Sequence, residues 1–182
     1  CCREEILAYA KALEGRRDRM YFGYSWHIVE SRYPEWRSHE KLQQGLDEGM
    51  REAGLDHVDI WRISLLTESS QHTKAEIEEA LAALAWAKKT GRARSTGISC
   101  HDRPHLKTLI ETYPNEIEVV LTPYTAKTRT VTDETGLWAA ITKADVGWFG
   151  IKPFASNSLF KGDSSPGSPH AVEDNRLARL AI

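Results

Sequence analysis

Four side chains suited to binding a small polar molecule stand at or near the ends of short apolar runs. Ser25, Ser64, Ser99 and Lys152 each follow or close such a run. Hydroxyl groups donate and accept hydrogen bonds, and an ammonium group binds anions. In α/β folds the carboxyl ends of parallel strands share one edge, where ligands bind. We therefore expect these four side chains to converge on a common rim.

The segment after Ser99 holds further reactive residue types. Cys100 is either a nucleophile or a small buried side chain, and burial is the more common role of a lone cysteine. His101 and His105 lie four residues apart and could form a metal pair. Neither a cysteine nor a carboxylate stands at matching spacing. We therefore expect no metal site.

Three of the polar residues have a structural interpretation beside the functional one. Ser99 could contact a bound ligand or satisfy backbone groups at a strand end. Lys152 could point into the mouth of the fold or extend from its rim into water. Arg62 interrupts the apolar alternation of its strand. It is expected either to pair with a buried acid such as Asp59 or to contact an anion.

The elements that must position these residues alternate between helix and strand. An apolar stripe predicts a helix over about 39–53, capped by Ser38 and ended by Gly54, and the strand 57–64 follows it. Thr73 and Glu76 have the spacing of a capping box. They predict the start of a second helix, which ends at Gly91. The other predicted elements are helices at 3–14, 103–113, about 132–144 and from about 170, and strands at 20–26, 93–98, 117–122 and 146–153.

Five such alternations predict a parallel sheet with helices outside it. A doubly wound open sheet and part of a (β/α)8 barrel both fit the pattern. The first strand lacks a glycine-rich turn, which argues against the doubly wound sheet. A full barrel takes about 250 residues, so we predict an incomplete (β/α)8 TIM-barrel-type domain over residues 1–182. We also expect the first and last barrel units to lie outside this sequence.

Composition excludes several functional classes. The 182 residues are 41% hydrophobic and 27% charged, with a formal net charge of −2 and both signs interleaved. This balance favours a globular domain and argues against a nucleic-acid or membrane-surface partner. The odd count of three cysteines favours a reducing, cytoplasmic location.

Two segments resemble the aldo-keto reductase family. Residues 52–61 (EAGLDHVDIW) resemble the family's phrase at the fourth barrel strand, and residues 76–81 with 88–99 (KKTGRARSTGIS) resemble its approach to strand five. Residues 147–155 are similar to strand seven of the larger members. The resemblance implies a (β/α)8 barrel that reduces carbonyls with NADPH and without a metal.

The same resemblance implies an altered catalytic site. The family uses Asp and Tyr near strand two, Lys at the end of strand three and His at the end of strand four. The tyrosine gives a proton to the carbonyl oxygen, and the lysine lowers the pKa of that tyrosine. Here the lysine position falls on Ser25 and the histidine position on Ser64. A shifted alignment would bring His27 to the first of these positions.

On the cofactor side the resemblance keeps part of the family's pattern. Ser99 matches the serine that holds the nicotinamide carboxamide, whereas Cys100 replaces an asparagine and Leu121 a glutamine. Lys152 stands in the family's Lys-Pro pair. The loop after strand seven could bind a diphosphate through its amides and a lysine. Its expected cofactor contacts are Ser156, Ser158, Leu159 and Lys161.

The sequence thus predicts an NADP-dependent oxidoreductase of small carbonyl substrates with a degenerate tetrad. The alternative is an inactive nucleotide-binding or regulatory barrel. The expected partner is a small molecule, and the oligomeric state is open.

Overall fold

The computed structural model describes residues 3–26, 28–125 and 134–153. Five parallel strands form one sheet in the order of the sequence. One α-helix stands between each successive pair of strands, and a further helix precedes the first strand. The strands are β1 (Gly23–Tyr24), β2 (Val58–Ser64), β3 (Ala93–Ser99), β4 (Val119–Pro123) and β5 (Gly147–Ile151), and the helices are α1 (Arg3–Ala12), α2 (His39–Ala53), α3 (Lys74–Lys89), α4 (Arg103–Thr112) and α5 (Leu137–Lys143). The alternation predicted from sequence is confirmed, and this arrangement is part of a (β/α)8 barrel.

The ends of α2 and α3 follow the predicted signals. Ser38 accepts a hydrogen bond from the Lys41 amide at the start of α2. Gly54 ends that helix with φ of 65°, a left-handed conformation that glycine adopts without a steric penalty. At α3 both halves of the capping box between Thr73 and Glu76 are formed. Local side-chain chemistry therefore fixes where both helices begin.

Two predicted elements begin at least three residues later in the structure. The strand expected over 20–26 keeps only Gly23–Tyr24, because the Phe22 carbonyl is shared between the Asp59 and Ile60 amides and the regular ladder starts after it. The helix expected from about 132 starts at Leu137. Gly136 precedes it with φ of 71°, and residues 134–136 form a turn. The predicted helix from about 170 lies outside the described residues.

The core lies between the sheet and the helices. Trp61 and Ile63 of β2 are fully buried with helix residues such as Leu46 and Leu84. Strand side chains alternate between faces, so Arg62 and Ser64 lie on the opposite face, which is the inner face of a barrel. Both are half-buried. The helix face provides the hydrophobic stability, and the inner face is left for polar side chains.

Helix α2 fits closely against the segment that follows β1. A Cβ added at Gly49 would overlap the Tyr24 hydroxyl and the Trp26 indole, and one at Gly45 would overlap Val29. The rings of Tyr24 and Trp26 are stacked with their planes 5° apart. This contact fixes the backbone on both sides of Ser25.

In the described residues, no helix combines the length and apolar character that a membrane span requires.

Candidate functional site

Residues at the carboxyl ends of the strands form rows across the inner face. Ser64 of β2 is the register partner of Ser99 in β3. Ser99 is in turn the partner of Leu121 in β4, and Leu121 is the partner of Phe149 in β5. Register partners in a parallel sheet point to the same face. Ser64, Ser99 and Leu121 therefore stand side by side at one edge, as the sequence predicted.

Ser25 joins this edge through a residue that the sequence analysis did not select. Glu30 is 3% exposed, and its Oε1 accepts hydrogen bonds from Ser25 Oγ at 2.6 Å and from Ser64 Oγ at 2.7 Å. One carboxylate oxygen therefore links the ends of β1 and β2. These are the two positions where the family resemblance placed the tetrad's lysine and histidine.

Two arginines stand beside the same carboxylate. Arg32 Nε lies 2.5 Å from Glu30 Oε2. Arg62 Nη1 lies 3.8 Å from Oε1 and donates a hydrogen bond to Ser64 Oγ at 2.9 Å. We call this group the Glu30 cluster; its members are Ser25, Glu30, Arg32, Arg62 and Ser64.

Burial and charge both act on Arg62. Its pKa is lowered, first because burial disfavours the charged guanidinium, while Glu30 raises the pKa and the nearby Arg32 lowers it. The buried acid that Arg62 approaches is Glu30. The suggested pairing of Arg62 with Asp59 is wrong, because the Asp59 carboxylate is occupied at the other end of the strand.

Asp59 belongs to a separate ion-pair group near the amino ends of β2 and β3. It accepts hydrogen bonds from the Phe22 amide and Arg17 Nη2, both at 2.7 Å, and Arg94 Nη1 lies 3.1 Å away. Burial alone would raise the pKa of Asp59, but the amide and the two guanidiniums lower it on balance. This group ties the helical turn Arg17–Arg19 and the residue before β1 to the sheet, and it lies away from the Glu30 cluster.

Cys100 is turned away from the inner face. It is 1% exposed, and its Sγ lies 3.0 Å from Ser69 Oγ and 3.3 Å from the Asp102 carbonyl. Burial raises the pKa of its thiol to about 11. Such a thiol is a poor nucleophile at neutral pH. The structure therefore agrees with the packing interpretation of this cysteine.

The histidines after Ser99 occupy different surroundings. His105 Nδ1 lies 2.7 Å from Ser69 Oγ, at the first turn of α4. The pKa of His101 is lowered, first by burial and then by the positive charge of Lys152. Lys152 therefore lies within electrostatic reach of the segment after β3, although it is exposed and follows β5. Over the described ranges, no three His, Cys, Asp or Glu side chains are placed to hold a metal ion.

The structure thus brings Ser25, Ser64 and Ser99 together, and Lys152 stands at the same edge of the sheet. Leu121 lies in the row of Ser99 but offers no side-chain hydrogen bond. Glu30 was missed by sequence reasoning, because it falls in an irregular loop and its partners stand five and 34 residues away. The proposed residues His27, Ser156, Ser158, Leu159 and Lys161 lie outside the described residues.

Comparison with known proteins places this geometry in a family. The sequence model of the Aldo/keto reductase family matches residues 4–180. No curated protein sequence matches the chain.

Solved structures of the same kind share the fold. A thermostable aldo-keto reductase, Tm1743, solved with the inhibitor epalrestat, is 20% identical with a TM-score of 0.68, covering 96% of this chain and 58% of its own. The Klebsiella pneumoniae aldo/keto reductase solved with NADP and acetate is 16% identical with a TM-score of 0.67, and the match covers 96% of this chain and 56% of that protein. The aldo-keto reductase AKR11C1 from Bacillus halodurans is 20% identical with a TM-score of 0.64, and the match covers 90% of this chain and 51% of that protein. The chain therefore spans a little over half the length of these structures.

Proposed function

The chain belongs to the aldo/keto reductase family, and from that premise we propose that it is an NADP-dependent oxidoreductase of carbonyl compounds with an altered set of catalytic positions. The observation that carries the proposal is the row of Ser64, Ser99 and Leu121 at the carboxyl edge of the sheet. In parallel α/β sheets this edge is where ligands bind. The complex of the Klebsiella pneumoniae relative with NADP supports the choice of cofactor.

The rim residues fit the cofactor in part. Ser99 is 9% exposed on the inner face, and its hydroxyl could hold the nicotinamide carboxamide. Lys152 provides an exposed positive charge for the cofactor's phosphates. Cys100 is turned into the core and Leu121 is apolar, so neither replaces the amide side chains of the family's pattern. We therefore expect weaker binding of the nicotinamide end than in relatives that keep all three contacts.

When bound, reduced NADP supplies a hydride to the carbonyl carbon, and a proton must reach the carbonyl oxygen. Ser25 and Ser64 do not provide an ammonium or an imidazole for this transfer. Both hydroxyls donate to Glu30 Oε1, so their protons are directed into the cluster. The described residues at the rim can thus bind and orient a substrate, but they supply protons poorly. We expect slow turnover, with water as the proton source.

A second candidate function is a barrel that binds the dinucleotide without turnover. One specific observation favours it: the Glu30 cluster occupies both positions where the family's lysine and histidine would act, and its serine hydroxyls already have an acceptor. A regulatory or binding role would need the cofactor contact at Ser99 and no proton donor.

A fluorescence titration with NADPH tests the proposal. Ser99→Val should weaken NADPH binding several-fold. Ser95→Val is the matched control, because Ser95 lies on the same strand and face, opposite Ile60 and four residues toward the amino end. Equal affinity for both variants, or no binding by the wild-type chain at millimolar NADPH, would contradict a cofactor site at this rim.

Adding an aldehyde to the same sample separates the two candidate functions. Aldehyde-dependent loss of NADPH absorbance supports the oxidoreductase. Saturable NADPH binding with no loss of absorbance above the protein-free rate supports the binding barrel instead.

A further inference from the structure

The Glu30 cluster carries more positive than negative charge. Arg32 and Arg62 both approach the single carboxylate of Glu30, at 2.5 Å and 3.8 Å. One carboxylate cannot neutralise two guanidiniums, and the positive charge of Arg32 contributes to the lowered pKa of Arg62. A second anion placed near these arginines would relieve their mutual repulsion.

Arg62 is placed to receive that anion. Its side chain is 20% exposed on the inner face of the sheet, where a ligand has access. Among the described residues, Arg62 Nη1 donates a hydrogen bond to Ser64 Oγ. That bond does not use the N–H groups of Nε and Nη2. A guanidinium that is already partly removed from water loses little hydration when it binds a ligand. It also offers paired N–H groups that match a carboxylate.

The distance to the cofactor contact limits the kind of ligand. Arg62 stands two residues before Ser64, and Ser64 is the register partner of Ser99. Neighbouring strands are about 4.8 Å apart, and one residue rises about 3.3 Å along a strand. Arg62 Nη1 lies 2.9 Å from Ser64 Oγ, so a carboxylate held by the guanidinium would lie beside the row of Ser64 and Ser99. A carbonyl group one or two bonds away would then be close to the rim at Ser99. A single surplus charge suits a monoanion better than a diphosphate.

From these observations we propose that Arg62, assisted by Arg32, binds the carboxylate of a carbonyl substrate, so that the substrate class is the oxo acids, with 2-oxo acids as the best fit. This inference rests on the proposed function for the role of the carbonyl. The carboxylate site itself is a property of the Glu30 cluster and can be tested without the cofactor.

The test compares an acid with its neutral ester. Phenylglyoxylate and methyl phenylglyoxylate have the same oxo group and ring, but only the acid carries a charge. Binding of each to the full chain is measured by isothermal titration calorimetry or by saturation-transfer NMR. We expect the acid to bind at least about tenfold more tightly than the ester, as a charge-assisted bidentate contact predicts.

Three variants assign the effect to the cluster. Arg62→Gln should weaken the acid about tenfold without changing the ester, and Arg62→Lys should recover part of the loss. Arg94→Gln is the matched control, because it removes the same charge at the far end of β3, beside Asp59. If Arg62→Gln is poorly folded by circular dichroism, Arg32→Gln replaces it, since Arg32 is 47% exposed and a change there disturbs less packing.

The outcomes separate this inference from the proposed function. Equal binding of acid and ester, or equal loss in the Arg62 and Arg94 variants, overturns the carboxylate site. Displacement of the acid by inorganic phosphate at equal concentration would show a general anion site and overturn the choice of oxo acids. Arg62-dependent binding of the acid in a chain that fails to bind NADPH would uphold the carboxylate site and reject the cofactor proposal. NADPH binding with no preference for the acid over the ester would uphold the cofactor proposal and reject the carboxylate site.

Discussion

Replacing Glu30 with glutamine changes one atom and removes the charge on which the cluster depends. The glutamine oxygen can still accept hydrogen bonds from Ser25 and Ser64, but its amide nitrogen would face Arg32 Nε, so that two donors meet. Breaking a fully buried ion pair costs about 3–5 kcal/mol. Here Glu30 is 4% exposed by side chain, whereas Arg62 is 20% and Arg32 47% exposed, so water compensates much of the loss.

We therefore expect Glu30→Gln to lower the free energy of unfolding by about 1–2 kcal/mol. For a chain of this size, that corresponds to a fall in Tm of about 2–8 °C. The assay is urea denaturation followed by tryptophan fluorescence, with thermal melting as a second measure. Glu35→Gln is the control, because Glu35 is an exposed glutamate in the short helical turn Pro34–Trp36. If the two variants are equally stable to within about 0.5 kcal/mol, the Glu30 cluster does not bind the strand ends together.

Three further predictions concern other parts of the molecule. Gly97→Ala should lower the free energy of unfolding, measured by urea denaturation, by at least about 2 kcal/mol, because the new Cβ would overlap the Val119 carbonyl oxygen of β4. Gly23→Ala is the control and should cost less than about 1 kcal/mol, because its Cβ would meet nothing within 4 Å. Alkylation of Cys100 by iodoacetamide at pH 8, followed by peptide mass spectrometry, should be at least tenfold slower in the native than in the urea-unfolded chain, since its pKa is raised to about 11; equal rates would show an open site. The folded pKa of Asp59 is below its ordinary value of 3.8, so its stabilising effect is complete above that pH and is lost as the pH falls through the lower, folded value. Asp59→Asn should therefore show a shallower loss of stability below about pH 4 than the wild type, and parallel curves would contradict this.

Sequence signals with a local cause predicted the fold well. The helix ended by Gly54 and the capping box at Thr73 are formed as expected, because their hydrogen bonds join residues three to five positions apart. The convergence of Ser25, Ser64 and Ser99 was also predictable. It follows from the rule that parallel strands end at a common edge, which needs only the order of the elements.

The contents of the site were harder to predict, because they depend on contacts between distant residues. Glu30 stands in a loop without periodicity and resembles an ordinary solvated acid in the sequence. Helix α2 packs closely on the residues around Glu30, because Gly45 and Gly49 leave room for Val29 and Trp26. The loop is joined to β2 through Ser64, which bonds to Glu30 and to the Arg32 amide. Asp59 was suggested as one acid that Arg62 could approach for the same reason: adjacency in the sequence favoured a residue at the wrong end of the strand.

One oxygen of Glu30 joins Ser25 and Ser64, the two positions that the family resemblance assigns to the tetrad's lysine and histidine. A double-mutant cycle of Ser25→Ala and Ser64→Ala, measured by urea denaturation, tests this link most directly. The hydroxyls share an acceptor, and one follows β1 whereas the other ends β2. We therefore expect a coupling energy above about 0.5 kcal/mol that disappears in a Glu30→Leu background. Strictly additive effects of the two substitutions would contradict it.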